Sequence, residues 1–502
     1  MSKGQVADIC YLVEGCYPFV RGGVSSWLDW LIRQQPEKAI SIVAIVADDG
    51  TREAMYDLPS NVVSFDTISL LAEPQLSNRR RIQCDMGSLG ASLAKFWSTG
   101  DTAAFSTLCD VAQNATERRW PLSVGKIQGI SSSDLLSSPQ AWSVLCQSYE
   151  RVAPESSFSD FVWAWRSLVG GLFSVLMSPV PSARIYHAVS TGYAGILGAR
   201  LRLDGSAKFV ITEHGIYTNE RRIDLITADW LTDRIHDGFS ICDVRKDVRD
   251  VWINMFESFA RVAYSLADKT TTLYSDNQQF QISLGANPKN LLVIPNGVDL
   301  SRFADIERSE TKPNFVVGLI GRVVPIKDVL GYIRACAEVK VNIDGVQFLV
   351  AGPYDEDPSY FADCQALVHE LGLDDSFSFL GHSDMRSVLS TVDVVVLTSI
   401  SEAQPLVVLE AGAAGVPVVA TDVGSCREII EGQVGEDPHF GVGGAIVPPM
   451  DTHSMASAMI NLLSDSQFRF VCGENLKHRV SSLYTSEVAH RAYEALYQEV
   501  AG

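Results

Sequence analysis

Two doubly wound α/β domains in tandem are the fold class that this sequence predicts, and three observations predict it. The chain has 502 residues, more than one hydrophobic core accommodates, so two domains of ordinary size are expected. Short apolar runs alternate with helical patterns along most of its length, the pattern of parallel strands joined by crossover helices. Hydrophobic residues make up 46% and charged residues 20%, the balance of a globular chain.

The first strand candidate, VADICYLV, leads through a glycine turn into the amphipathic segment VSSWLDWLIRQQ and then ISIVAIVA. ARIYHAVS, KFVITEH, KTTTLY and LLVIP continue the series. Between about 74 and 182 the rhythm fails: the stretch reads as helical and polar, with no strand-like run, and is expected to be an insertion into the first domain. Within it FVWAWRSLVGGLFSVLM, from Phe161, contains Arg166 and the Gly170 and Gly171 pair and is short for a bilayer crossing, so a buried helix is expected. A second and cleaner series runs through FVVGLIG, VQFLVAG, SFSFLG, VDVVVLTS, VPVVAT and GAIVP. The join lies near PNGVDLSRFADIERSETKPN, where apolar periodicity lapses. The expected division is therefore 1–300 for the first domain, 301–480 for the second, and a closing helix over 481–502, for which packing back on the first domain is one arrangement.

A net charge of −20 argues against nucleic acid as a partner and requires any anionic nucleotide to find a local basic pocket. The ten cysteines form no CxxC and no zinc-like spacing, which predicts free thiols in a reducing compartment. Asp8 interrupts the only apolar run near the start, so no export signal is read and a cytoplasmic location is expected.

The strongest chemical signal is SEAQPLVVLEAGAAGVPVVAT, in which Glu402 precedes a predicted helix and Glu410 lies more than a turn inside it. Pro405 suits the first turn, where its missing N–H costs nothing. The amides of Leu406 and Val407 would then face a diphosphate at the positive helix end. Two carboxylates so spaced can serve two sets of hydroxyls along one ligand, such as a sugar and a ribose. In GLIGRVVPIKD a strand ends in glycine and is followed by Arg322 and Lys327, placed to neutralise a departing diphosphate. In EGCYPFVRGGVSSW, Gly22 and Gly23 allow a close backbone approach ahead of a helix expected to open at Val24 or Ser25. His214, in VITEHGIYTNERRIDL, ends a strand on the same edge, and Arg221 and Arg222 either shape an acceptor site or pair with Glu220 and Asp224. Asp355 and Asp357 have DxD spacing, yet Arg322, Lys327 and a helix end already do a cation's work, so no metal and no cofactor are expected. No nucleophile elbow or Walker loop occurs.

These residues resemble the retaining GT-B glycosyltransferases of family 4, whose glutamate pair, Arg and Lys match Glu402, Glu410, Arg322 and Lys327. EGCYPFVRGGVSSW, TEHGIYTNERRIDL and AGPYDEDPSY further resemble the PelF branch, cytosolic enzymes of Pel exopolysaccharide synthesis. The resemblance implies two facing Rossmann-like domains, a UDP-sugar donor, retention at the anomeric carbon, a polysaccharide acceptor and contact with inner-membrane Pel components. By it, Glu410 holds the ribose, Glu402 the donor sugar, Arg322 and Lys327 the diphosphate, and His214 the donor sugar. The family places Asp after that histidine, where this chain has Gly215. A GT-B UDP-sugar epimerase and a non-catalytic GT-B scaffold stay open as alternatives.

Overall fold

A computed structural model describes residues 6–48, 50–70, 86–116, 139–205, 207–226, 247–306, 314–433 and 435–502. The chain forms two compact units, Met1–Val293 with Ala495–Gly502, and Ile294–Glu494.

The first unit is built on seven parallel strands: β1 Ala7–Glu14, β2 Ile40–Val46, β3 Val62–Ser69, β4 Ala183–Ala188, β5 Lys208–Glu213, β6 Lys269–Thr272 and β7 Leu291–Val293. Their spatial order is β3-β2-β1-β4-β5-β6-β7. All seven residues of β2 are buried, as expected of a strand covered by helices on both faces. β3 is absent from the sequence expectations; it is an edge strand whose SFDT centre is polar and half-exposed, so it carries no apolar run.

In the stretch expected to be an insertion the described residues form helices over Met86–Thr99, Thr102–Thr116, Pro139–Val152 and Phe158–Met177, with short non-helical segments between the first and second and between the third and fourth. Its expected polarity is corrected: Leu93, Phe96, Trp97, Phe105, Phe161 and Trp165 are all buried in the core of the unit. Trp97 stacks on Trp165 with ring centroids 5.7 Å apart. Each such side chain contributes about 1.5–3 kcal/mol of burial, so these helices are part of the hydrophobic core and not an appendage. The segment read as a buried helix lies in Phe158–Met177, whose Leu168, Leu172 and Phe173 are buried while Trp163 faces out. No described helix is long and apolar enough to cross a membrane.

The second unit has six parallel strands: β8 Val316–Ile320, β9 Gln347–Ala351, β10 Phe377–Gly381, β11 Val394–Leu397, β12 Val418–Thr421 and β13 Gly444–Val447. The order β10-β9-β8-β11-β12-β13 is that of a doubly wound sheet. In each sheet the chain reverses its direction of winding beside the first strand, between β1 and β4 and between β8 and β11. Crevices open at the carboxyl ends of strands at such switch points. The last helix, Ser486–Ala501, is where the units divide, and its Tyr497 belongs to the first. There the Tyr497 hydroxyl lies 2.8 Å from His187 Nδ1 and 3.0 Å from the Tyr11 hydroxyl.

Candidate functional site

In the second unit, β8 runs into a loop carrying Arg322 and a 3-10 turn, Pro325–Lys327. The loop after β11 carries Ser399 and Glu402. Three hydrogen bonds lace the two loops and β12 together: Ile400 N–H donates to the Ile326 carbonyl (2.9 Å), Thr398 Oγ1 to the Lys327 carbonyl (2.7 Å) and Thr421 Oγ1 to the Ser399 carbonyl (2.6 Å). Gly424, in the left-handed region at φ 53°, lies against the Glu402 carbonyl, where a Cβ would come within 2.4 Å of that oxygen. The lacing brings Lys327 Nζ into an ion pair with Glu402, whose Oε1 also accepts from Ser399 Oγ at 2.7 Å.

Helix Leu406–Ala413 follows, capped by Pro405 without any side-chain hydrogen bond. Pro405 is thus the cap itself and not a first-turn residue. Elsewhere in the unit Asp328, Asp357, Asp384, Asp451 and Asp465 each cap a helix through the side chain. Leu406 and Val407 head a helix that has no side-chain cap and no acidic residue in its first turn. One turn in, Glu410 is mostly buried, and Arg302 Nη1 lies 3.5 Å from its Oε1. Burial raises its carboxyl above the usual range, against the pull of Arg302. Arg322 is not brought to Lys327 in a shared pair: its Nη1 takes both oxygens of Glu356, at 2.6 and 2.7 Å, in an exposed bridge. Asp357 is committed as a cap, accepting from Tyr360 N–H at 3.0 Å and Ser359 Oγ at 2.8 Å.

At the switch point of the first unit a cavity of about 390 Å³ is lined by the ends of β1, β2, β4 and β5 and by helix Tyr217–Ile226. Its size falls in the range of small-molecule pockets, about 300–1,000 Å³. His214 lines it, edge-on to Trp27 with centroids 4.5 Å apart, and its buried Nε2 has no hydrogen-bond partner. Burial favours the neutral imidazole and lowers its pKa to about 4. The helix after β1 opens at Gly23, one residue earlier than expected. Gly22 and Gly23 are exposed, and a Cβ on either would meet nothing within 4 Å, so the space in front of this helix end is open. Arg221 pairs with Asp224 at 2.7 Å, and Arg222 pairs with Glu257.

Sequence reasoning passed over two carboxylates here. Glu14 ends β1 and accepts from Ser190 Oγ (3.0 Å), Ala194 N–H (3.3 Å) and the Tyr217 hydroxyl (2.6 Å). Gly192 makes this possible, since a Cβ there would press within 2.6 Å of both Glu14 and Tyr217. Glu213 ends β5, is 1% exposed, and accepts from Thr191 Oγ1 (3.2 Å), Tyr217 N–H (3.3 Å), Gln281 Nε2 (3.0 Å) and the Tyr264 hydroxyl. Burial raises its carboxyl despite these donors. A carboxylate closing an otherwise apolar parallel strand is the signal that could have found both.

Residues 7–289 match the family described as a domain of unknown function, DUF3492, and residues 314–465 match glycosyl transferases group 1. Among curated relatives, the MMP alpha-(1->4)-mannosyltransferase of Mycolicibacterium hassiacum is 24% identical over 58% of this chain and 65% of its own. The N-acetyl-alpha-D-glucosaminyl L-malate synthase of Bacillus anthracis is 28% identical over 48% of this chain and 58% of its own. In both, the match spans less than two thirds of the relative's length. Among solved structures, sucrose-phosphate synthase from Thermosynechococcus elongatus superposes with a TM-score of 0.57 at 15% identity, covering 98% of both chains. HepE from Anabaena, solved with UDP, superposes with a TM-score of 0.56 at 17% identity, covering 98% of this chain and 100% of its own. The two parallel Rossmann-like sheets are those of the GT-B fold, and the chain belongs to the DUF3492 family, its second unit being a group 1 glycosyltransferase domain.

Proposed function

We propose that this chain is a retaining, metal-independent hexosyltransferase that takes a sugar from a UDP-sugar, UDP-glucose or a UDP-N-acetylhexosamine, and adds it to a growing exopolysaccharide of the Pel type. The observation that carries the reading is the Lys327–Glu402 pair, laced into the second unit beside a helix whose amino end no side chain caps. One curated relative is named a mannosyltransferase and another an N-acetyl-alpha-D-glucosaminyl L-malate synthase, and a HepE structure was solved with UDP-glucose.

In the proposed mechanism, departure of UDP places negative charge on the phosphate. Lys327, which keeps two N–H donors beyond the one given to Glu402, and the amides of Leu406 and Val407 stabilise that charge. Arg322 commits only Nη1 to Glu356, which leaves Nε and Nη2 for a phosphate oxygen. Glu402 turns its second oxygen to the donor sugar and Glu410 accepts from the ribose, while His214 is the sugar contact that the family resemblance assigns to the first unit. Glu402 and Glu410 are each paired with a cation, which disfavours either as the nucleophile of a covalent glycosyl-enzyme. The acceptor hydroxyl therefore attacks on the face that UDP leaves, with the leaving phosphate as its base. Cytoplasmic action beside inner-membrane Pel components belongs to the same proposal.

Calorimetric titration with UDP, GDP and ADP, followed by UDP-release assays with candidate UDP-sugars, tests it. UDP at about one hundred times its Kd should add roughly 2.7 kcal/mol of stability, a shift of a few degrees. Release should continue in EDTA. Stabilisation by GDP and not by UDP, or release abolished by EDTA and restored by Mn²⁺, would overturn the base or the metal-free assignment.

A further inference from the structure

Charge is unevenly distributed around the cavity of the first unit. Among the described residues Glu14, Glu213 and Glu220 line it, against a single guanidinium, Arg221, which is paired with Asp224 and lies over the Tyr217 ring. His214 adds no positive charge near neutral pH, because burial keeps its imidazole neutral. Glu213 has both oxygens engaged by buried donors. Glu14 differs. It is only half-buried, and among the described residues its Oε1 accepts from the Tyr217 hydroxyl alone, which leaves a second lone pair for another donor. Across the same cavity His214 Nε2 is buried without a partner, a cost that a ligand hydroxyl would relieve.

We propose that the sugar seated in this cavity is an uncharged pyranose and that Glu14 selects it, accepting a sugar hydroxyl at Oε1 and repelling phosphorylated and uronic-acid sugars. The inference rests on the glycosyltransferase reading and adds the substrate class of the first unit. The same chemistry is shared by the glycosyl group of a donor and by the neutral end of an acceptor chain. A like charge set against a carboxylate in a partly dry pocket weakens binding by about tenfold or more, and salt screens it.

The test uses the full chain and saturation-transfer NMR with methyl β-glucoside, methyl β-N-acetylglucosaminide, glucose 6-phosphate and glucuronate. UDP binding is measured separately by calorimetry. The two neutral glycosides should bind, and the two anionic sugars should bind about tenfold more weakly or worse at about 50 mM salt, the gap narrowing severalfold at about 0.5 M. Glu14→Gln should bring the two classes to within about threefold of each other. Glu220→Gln, at an exposed position, should narrow the gap less and serves if Glu14→Gln folds poorly. Competition assigns the source: displacement of the glycoside by a UDP-sugar but not by UDP marks the donor glycosyl site, and simultaneous binding marks the acceptor end. Either result keeps the proposal. Anionic sugars binding as well as neutral ones to the wild type, or unchanged discrimination in both variants, would overturn it. Neutral glycosides binding while UDP does not would instead sink the glycosyltransferase reading and leave the selectivity standing.

Discussion

The candidate sites of the two units hold their glutamates in opposite ways. In the second, Glu402 is balanced by Lys327, Glu410 by Arg302 and Glu356 by Arg322, so each acid comes with a cation. In the first, Glu14 and Glu213 are held by hydroxyls, an amide side chain and backbone N–H groups, and among the described residues neither has a salt bridge. Hydrogen bonds from neutral donors satisfy a carboxylate without cancelling its charge, whereas ion pairs keep cations in place for an incoming anion. The difference is the one that the proposed roles require, a diphosphate bound in the second unit and a neutral sugar in the first.

Removing Lys327 should break the comparison most severely. Lys327→Ala takes away a preorganised cation and strands Glu402, so UDP-sugar turnover should fall about 10²–10³-fold, the equivalent of about 2.7–4 kcal/mol. Steady-state UDP release measures this, and a wild-type kcat would remove Lys327 from the chemistry. The corresponding loss in the first unit should be structural. Glu213→Ala leaves the Thr191, Tyr264 and Gln281 donors unpaired at a fully buried position, costing about 3 kcal/mol. The unfolding transition of the first unit should drop by roughly 5 °C while calorimetric UDP affinity stays near wild type. A variant as stable as the parent would show that neutral donors are not what holds this acid.

Much of the second unit was legible because its determinants are local. β11 is an unbroken apolar run and β12 is apolar up to its closing Thr421, and Glu402, Pro405 and Glu410 sit within one strand-loop-helix passage. The first unit hid more. Glu14 meets Tyr217 across 203 residues and Glu213 meets Gln281 across 68, so neither arrangement leaves a motif in the chain. Arg302 was missed for a similar reason: it lies in the stretch where periodicity lapses, and only folding sets it against Glu410. The insertion misled because its buried face is spread over several described helices, and those over Met86–Thr99, Thr102–Thr116 and Pro139–Val152 mix buried apolar positions with polar ones.

The glutamate pair sharpens the comparison within the second unit. Glu410→Ala should weaken both UDP and UDP-sugar about tenfold, since a charge-assisted hydrogen bond is worth about 1.5–3 kcal/mol and the ribose is common to both. Glu402→Ala should abolish transfer while UDP binds as well as before, or somewhat better, because Lys327 is released to the phosphate. Titrating UDP into both variants decides it, with melting temperatures as the control for folding. Equal loss of UDP affinity in the two would end the division of roles.

The smallest expected effect concerns His214, and its sign follows from burial. An imidazole that titrates near 6.5 in the unfolded chain is held neutral in the fold until pH about 4. Between those values the unfolded chain binds a proton that the folded chain does not, so the stability tied to His214 is complete above pH 6.5 and declines as pH falls toward 4. One such proton corresponds to about 1.4 kcal/mol per pH unit. His187, fully buried and bonded to Tyr497 and Thr212, has its pKa lowered to about 3 and adds a second contribution of the same sign. Urea unfolding of His214→Asn, measured between pH 6 and 4.5, should therefore lose about 1.4 kcal/mol per pH unit of the wild-type slope and keep the part due to His187. An unchanged slope would mean that the imidazole reaches water. The cavity of the first unit would then be a wet groove in which a carboxylate is screened, and its contrast with the paired acids of the second unit would lose its force.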